Sequence, residues 1–192
     1  MPRLIRRLLL AACLLPLAAS AAPPEGWGRL EVRDLDGRPL DPAGRWLVVV
    51  FLSPECPVAN AEIPALNALA AEFGPHGVAF VGAYADPTLA TADLRRHTHD
   101  YQLAFPAADD RTQRLKRAAG ATCTPEVGVF ARDGTLLYRG RIDDRVEDFG
   151  AARPVATRED LREVLTALLA GRPGPFPFRP GFGCAIPAPA AP

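Results

Sequence analysis

A seven-residue apolar run that ends in a turn constrains the fold of this chain most strongly. Residues 46–52 are all apolar, as expected of a central strand covered on both faces. A turn at 53–56 follows, and apolar residues at helical spacing begin soon after Pro57. Cys56 therefore lies at a strand-to-helix junction, where the first helical N–H groups have no intrahelical partner.

The position of Cys56 favours chemistry at its sulfur. The dipole of a helix favours negative charge at the N-terminus, and such a placement lowers the pKa of a thiol and favours the nucleophilic thiolate. The flanking residues Ser53, Pro54 and Glu55 are not typical of a core. We therefore predict that Cys56 is ionised and reachable at the mouth of the molecule. The alternative is a buried, inert cysteine.

The first 21 residues have the pattern of a secretory signal peptide. Three arginines precede an apolar run at 8–17, and Ala-Ser-Ala at 19–21 fits a signal-peptidase site. We predict cleavage after Ala21 and a periplasmic or secreted protein. The segment ending at Cys13 also resembles a lipoprotein box, so membrane anchoring is expected only if Cys13 is lipidated.

Charge argues against a nucleic-acid partner. The full chain has 22 basic and 22 acidic residues, and removal of the three leader arginines leaves 19 against 22. The remaining sequence has no basic stripe of the kind that binds phosphate backbones.

The mature chain keeps three cysteines, Cys56, Cys123 and Cys184, which are more than sixty residues apart. An odd number in an exported protein leaves one thiol free, or pairing in turn. This spacing is more typical of a redox relay than of a disulfide scaffold.

The order of the predicted elements indicates the fold class. We predict a hairpin opening at 30–37, strands at 46–52, 78–84 and 103–105, a hairpin over 127–142, and helices from 57 (kinked at Pro64), over 88–100, over 110–119 and over 157–169. Thr157 and Asp160 are expected to form a capping box for the last helix. The chain is thus expected to be an α/β, three-layer domain over 22–170 with a mixed β-sheet and an N-terminal β-hairpin. Residues 171–192, rich in Pro and Gly, are expected to form a flexible tail that carries Cys184.

From Gly26 to Gly171 the chain resembles the thioredoxin-fold redoxins of the alkyl hydroperoxide reductase and thiol-specific antioxidant type. The resemblance is carried by the segments Phe51-Leu52-Ser53-x-x-Cys56-Pro57, Pro64, Thr124-Pro125 and Val129-Phe130-x-x-Asp133-Gly134. A subgroup of exported bacterial redoxins is also similar in Thr124-Pro125-Glu126, Tyr138-Arg139-Gly140-x-Ile142-Asp143-Asp144 and Gly183-Cys184-x-Ile186.

The resemblance implies roles for individual residues. Pro125 would be cis, lie against the reactive cysteine and shape a groove for the substrate backbone. Pro57 and Thr124 would contribute to substrate binding, with Pro57 and the free N–H groups beyond it stabilising the thiolate. Glu126, beside the Pro125 loop, would either contribute to the substrate site or be solvated. No cofactor is implied.

Departures from the family pattern separate two activities. Ala59 stands where thioredoxin-like reductases carry the second cysteine of Cys-x-x-Cys. Ser53 matches the threonine or serine of peroxiredoxins, but Val49 replaces their proline, and their substrate-activating arginine is missing near Pro125. The sequence therefore favours a thiol–disulfide oxidoreductase over its alternative, a thiol peroxidase.

In the predicted mechanism, Cys56 attacks an oxidised sulfur in the substrate, and Cys123 or Cys184 resolves the intermediate. The expected partners are protein thiols or disulfides, or a peroxide, together with an external dithiol reductant. A third reading is a non-enzymatic copper-binding or partner-binding module, with Cys56, Cys123 and a histidine as possible copper ligands.

Overall fold

A computed structural model of the chain describes residues 32–40, 44–148 and 150–188. The predicted signal peptide at 1–21, with Cys13, and the first residues of the predicted hairpin lie outside the described residues. Within the described part of the chain, no helix is both long and apolar enough to cross a bilayer.

The strands and helices alternate along the first half of the domain. The strands are β1 Trp46–Leu52, β2 Val78–Tyr84, β3 Ala107–Asp109, β4 Cys123–Thr124, β5 Glu126–Ala131, β6 Leu136–Gly140, β7 Val146–Asp148, β8 Ala151–Ala152 and β9 Cys184–Ala185. The helices are α1 Pro57–Phe73, α2 Thr91–Asp100, α3 Arg114–Ala119 and α4 Asp160–Leu169.

The central sheet has five strands in the order β3-β2-β1-β5-β6. β1, β2 and β3 are parallel, whereas β5 and β6 are antiparallel to their neighbours. β1 is buried along its whole length, which explains its unbroken apolar sequence. The predicted mixed α/β sheet is confirmed.

Helices cover both faces of the sheet and create two hydrophobic clusters. The first cluster joins α1, α2 and α4 to one face, and includes Cys56, Leu66 and Leu165. The second joins α3 and Val32 to the other face, with Phe51 among its members. The alternate residues of β1 point into different clusters, so the three-layer arrangement is confirmed.

The N-terminal hairpin is a tight turn in the structure. Arg33 and Pro39 form an antiparallel bridge, and the Asp34 carboxylate accepts the N–H groups of Asp36 and Arg38 at 2.9 and 2.8 Å. An aspartate that bonds the backbone two residues on stabilises such a turn.

The third strand forms at 107–109, so the predicted strand at 103–105 is wrong. Phe105 instead packs its ring against Phe80, with a centroid separation of 5.7 Å. Pairing with β2 begins only at Ala107, opposite Gly82. Apolar residues that fill space beside a strand cannot be told from the strand itself by composition.

The helices α2 and α3 start later than predicted. Thr88 is held by the Asp86 carboxylate, which accepts its N–H at 2.8 Å, in a turn that precedes α2. Asp110 lies outside α3 and accepts the N–H groups of Leu115 and Lys116 at 3.0 and 2.9 Å. Asp110 therefore satisfies two free N–H groups in the first turn of α3, although it precedes the helix in the chain.

The predicted capping box at Thr157 is also wrong. α4 begins at Asp160 and its N-cap, Glu159, makes no side-chain capping bond. Thr157 instead donates its N–H to the Asp144 carboxylate at 2.7 Å. A tertiary partner has replaced the local one.

The tail follows the surface of the domain over residues 172–188. Phe176 donates its N–H to Leu137 O at 2.6 Å, and Arg141 donates its N–H to Arg179 O at 2.9 Å. β9 then pairs with β4 in an antiparallel two-stranded sheet. These contacts fix where the tail lies in the structure, and its flexibility stays a prediction.

Candidate active site

The pairing of β1 with β5 brings Cys56 to Pro125. Phe51 near the end of β1 lies opposite Glu126 at the start of β5, and the strands are antiparallel. The residues after β1 therefore meet the residues before β5. The Thr124–Pro125 peptide bond is cis, and the Cys56 thiol donates a hydrogen bond to Thr124 O at 3.0 Å.

Cys56 is the N-cap residue of α1. Its sulfur accepts the N–H of Ala59 at 3.4 Å, and Pro57 is the first residue of the helix. Proline suits this position because its missing N–H would have no intrahelical partner. The predicted strand-to-helix junction at Cys56 is therefore confirmed.

The Cys56 side chain is 0% exposed, which corrects the expectation of a thiol reachable at the mouth of the molecule. The tail provides the cover, since Cys184 lies opposite Thr124 in the β4–β9 pair. Gly183 approaches the loop so closely that a Cβ there would lie 1.9 Å from Thr124 O. The Cys56 thiol is therefore buried, with Cys184 of the tail packed against the cluster that contains it.

The pKa of Cys56 lies below its ordinary value despite this burial. Loss of hydration acts to raise the pKa, but hydrogen bonds from the side chains of Cys184 and Thr124 and from the backbone of Ala59 and Cys184 outweigh it. Hydrogen bonds to the charged form favour ionisation. Cys56 is therefore the cysteine of this cluster that ionises first.

The other two cysteines are held protonated. Burial raises the pKa of Cys184 to about 11, and its hydrogen bond with Cys56 adds to the effect. Burial also raises the pKa of Cys123 to about 11, with a further contribution from the negative charge of Glu126. All three are free thiols in the structure, and Cys56 is the one whose pKa is lowered.

Glu126 braces the loop that carries Cys123. It is 1% exposed, accepts the N–H of Thr122 at 2.7 Å and lies 3.5 Å from the Arg139 guanidinium. Its carboxylate thus bonds the backbone of its own loop, and the predicted contact of Glu126 with substrate stays a prediction.

The remaining predicted site residues differ in their exposure to solvent. Ser53 is half-buried, and its hydroxyl accepts the N–H of Glu55 at 3.3 Å, so this bond holds the turn and is not made to the sulfur. Pro57 is exposed beside the site, whereas Thr124 and Pro125 are buried beneath the tail.

The sequence of this chain matches a known protein family. The sequence profile of the AhpC/TSA family matches residues 28–139. The chain belongs to the AhpC/TSA family. It is therefore an oxidoreductase, as the sequence predicted.

Solved structures share the fold of this AhpC/TSA protein. An uncharacterized conserved protein of Geobacillus kaustophilus is 30% identical, with a TM-score of 0.72 over 84% of this chain and 89% of that chain. A secreted Mycobacterium tuberculosis disulfide oxidoreductase homologous to E. coli DsbE is 24% identical, with a TM-score of 0.53 over 73% and 98%. The Xanthomonas campestris bacterioferritin comigratory protein, with alkyl peroxide reduction activity, is 21% identical, with a TM-score of 0.53 over 73% and 90%. The comparison with curated proteins found no match.

Sequence reasoning missed Glu62, a buried carboxylate beside the site. It is 5% exposed, pairs with Arg145, and borders a small groove with Val58, Pro125 and Phe182. Burial, and then the charge of Asp143, raise the pKa of Glu62 to about 7. The available signal was a glutamate on the apolar face of α1, six residues after Cys56.

His97 and Asn60 form a buried network that reaches the active-site turn. His97 contacts Tyr84 Oη at 2.6 Å and Asn60 Oδ1 at 2.8 Å. Asn60 then donates from Nδ2 to Pro54 O at 3.0 Å. The described residues contain no group of three His, Cys, Asp or Glu side chains able to hold a metal ion, and His97 is engaged in this network.

Proposed function

We propose that this protein is an exported thiol–disulfide oxidoreductase in which Cys56 is the nucleophile and Cys184 is the resolving thiol. One observation carries the proposal: the β4–β9 pairing places Cys184 opposite Thr124, whose carbonyl accepts the Cys56 thiol, and the contact between the two cysteines lowers the pKa of Cys56 and raises that of Cys184. A thiolate beside a protonated second thiol is the arrangement that two successive exchange steps require.

The first step is attack of the Cys56 thiolate on one sulfur of a substrate disulfide. The substrate S–S bond breaks, one thiolate leaves and takes a proton, and a mixed disulfide forms on Cys56. The Cys184 thiol then loses its proton and attacks the Cys56 sulfur. A Cys56–Cys184 disulfide forms, the second substrate thiol is released, and an external dithiol returns the pair to the reduced state.

Cys184 suits the resolving role better than Cys123. The side chain of Cys184 contributes to the lowered pKa of Cys56, whereas Cys123 is affected by Cys56 only through charge, and its pKa is also raised by the Glu126 carboxylate. Removing a proton from Cys123 is opposed by that neighbouring negative charge.

A peroxidase reaction on the same cysteines is the second candidate, and the single cysteine of the active-site turn favours it. Here Cys56 would attack a hydroperoxide, release an alcohol and become a sulfenic acid. Condensation with Cys184 would expel water and give the same disulfide. A cavity between Leu52, Ser53, Thr124 and Cys184 supports the approach of a small substrate.

Export is part of the proposal and rests on the leader pattern of residues 1–21. The solved disulfide oxidoreductase of M. tuberculosis, described as secreted, is consistent with it. A disulfide exchange cycle fits an oxidising compartment.

Trapping of reaction intermediates tests the proposal. In a Cys184→Ser protein treated with a disulfide substrate, we expect a mixed disulfide on Cys56 to accumulate, identified by mass spectrometry. A Cys123→Ser protein should turn over like the wild type. Mixed disulfides that form equally well in a Cys56→Ser protein would overturn the assignment. Stopped-flow mixing with hydrogen peroxide separates the two candidates, because rapid consumption at Cys56 is required only by the peroxidase.

A further inference from the structure

The tail segment 183–186 is bound to the domain as an added β-strand. Cys184 lies opposite Thr124 and Ala185 lies opposite Cys123. Ile186 continues the ladder by donating its N–H to Thr122 O at 3.0 Å. The segment thus pairs with the strand that immediately precedes Pro125.

Three residues of this strand make close contacts with the domain. At Gly183 a Cβ would collide with Thr124 O at 1.9 Å, so glycine is required. Cys184 brings its sulfur to the sulfur of Cys56. Ile186 is 8% exposed and packs into the second hydrophobic cluster, while Ala185 between them is exposed.

A buried side chain holds the end of the segment. Gln113 is 2% exposed, and its Nε2 donates to Pro187 O at 2.6 Å and to Ala85 O at 2.9 Å. Main-chain bonds that secure an extended segment, together with pockets for alternate side chains, are the means by which proteins bind peptides as added strands.

We propose that residues 183–186 are an internal mimic of a protein substrate, and that the site accepts an extended segment Gly-Cys-x-apolar in their place. This inference rests on the proposed function, since it assigns a substrate class to the same Cys56. The substrate cysteine, present in a disulfide, takes the position of Cys184. Its preceding glycine and its apolar residue two positions later occupy the places of Gly183 and Ile186.

The tail and a protein substrate therefore exclude each other. The tail leaves, the substrate strand pairs with β4, and Cys56 attacks the substrate cysteine so that the other half of the substrate disulfide departs as a thiol. When the tail returns, Cys184 attacks the Cys56 sulfur of the mixed disulfide. The same movement displaces the substrate strand, which departs with a reduced cysteine.

The tether makes the tail a strong competitor. A segment that stays attached to the domain by a short tether has an effective concentration on the order of millimolar. Residues 170–182 connect α4 to the segment, so a free peptide of similar sequence must act against this internal concentration. Releasing the tail should therefore speed the reaction with peptides while the nucleophile is unchanged.

The test uses the mature chain with Cys123→Ser and Cys184→Ser, so that Cys56 is its one thiol. The probe is a synthetic peptide with the sequence of residues 180–188, its cysteine joined to thionitrobenzoate. Attack by Cys56 forms the peptide mixed disulfide and releases thionitrobenzoate, which is measured by absorbance. A second probe carries valine in place of the glycine that corresponds to Gly183.

Adding Gly183→Ala should raise the rate with the glycine peptide by at least about tenfold, because the tail loses its fit. Ile186→Ser should act in the same direction through loss of the buried side chain. Ala188→Ser, at an exposed position of the same tail, is the matched control and should leave the rate within about twofold of the parent. In the tail-released proteins the valine peptide should react at least about tenfold more slowly than the glycine peptide.

Equal rates for the two peptides, or no acceleration by either tail variant, would overturn the mimic. The small reagent dithiobisnitrobenzoate reports separately on the proposed function. Rapid reaction with it, without discrimination between peptides, leaves Cys56 a nucleophile and removes the strand site. No reaction with it in the tail-released proteins removes both.

Discussion

The thiol of Cys184 is hydrogen-bonded to the sulfur of Cys56, and the two groups have opposite pKa shifts. The pKa of Cys56 is lowered, whereas that of Cys184 is raised to about 11. Of the two thiols Cys56 therefore loses its proton first, and the contact then joins a charged acceptor to a neutral donor. Each group determines the protonation of the other.

Removing the donor should raise the pKa of Cys56. In a Cys184→Ala protein the side-chain hydrogen bond that favours the thiolate is lost, and desolvation is opposed by the contacts with the Thr124 side chain and with the backbone of Ala59 and residue 184. The pH dependence of alkylation by iodoacetamide measures this pKa, with the modified cysteine identified by mass spectrometry. The midpoint should move upward relative to Cys184→Ser, in which a hydroxyl can still donate. The same midpoint in both variants would show that Cys184 does not tune Cys56.

Glu62 should make the stability of the protein depend on pH. Its pKa is raised to about 7 from 4.5, so the folded state disfavours the carboxylate. The resulting destabilisation is absent below the unfolded pKa, grows as the pH rises toward 7, and is complete above that value. The shift corresponds to about 3 kcal/mol.

Glu62→Gln should therefore reduce the fall in unfolding free energy between pH 4 and pH 8, measured by urea denaturation. Glu72→Gln is the matched control on the same helix, because Glu72 is exposed and pairs with Arg162 at the surface. A pH profile that Glu62→Gln leaves unchanged would contradict the shift.

Glu126 should control the protonation of Cys123. Its negative charge is the second cause, after burial, of the raised pKa of that thiol. Glu126→Gln keeps the shape of the side chain but removes the charge, so the pKa of Cys123 should fall from about 11. Alkylation of Cys123 at a series of pH values measures the change. An alkylation profile that does not move would assign the raised pKa to burial alone.

Asn60 should stabilise the active-site turn. Asn60→Ala removes the donor to Pro54 O and the partner of His97 Nε2, which leaves buried polar groups unsatisfied. The expected loss is about 1–3 kcal/mol of unfolding free energy, with a slower reaction at Cys56. Asn67→Ala is the control, because the Asn67 bonds to Gln102 O and Ala104 N lie at the surface. Equal losses for the two variants would deny Asn60 a special role.

The parts of the site that depend on local pattern could be predicted from the sequence. The strand–turn–helix unit around Cys56 could be predicted because its signals are neighbours in the chain. They are the apolar run of β1, the proline after Cys56 and the helical spacing of α1. The resemblance added Pro125, which the β1–β5 register then brings to Cys56.

The parts that depend on distant contacts could not be predicted. Cys56 is covered because a segment more than a hundred residues later pairs with β4, and the fit of Gly183 against Thr124 O has no local signature. Thr157 shows the same effect, because it bonds the Asp144 carboxylate and does not cap α4 as its local sequence pattern predicts.

Mapping the disulfide of the oxidised mature protein tests the central claim most directly. Oxidation with one equivalent of a small disulfide, followed by blocking of free thiols, proteolysis and mass spectrometry, identifies the bonded pair. A Cys56–Cys184 bond with Cys123 recovered as the blocked free thiol is the predicted result. A Cys56–Cys123 bond, or an oxidised protein in which Cys56 remains free, would contradict it.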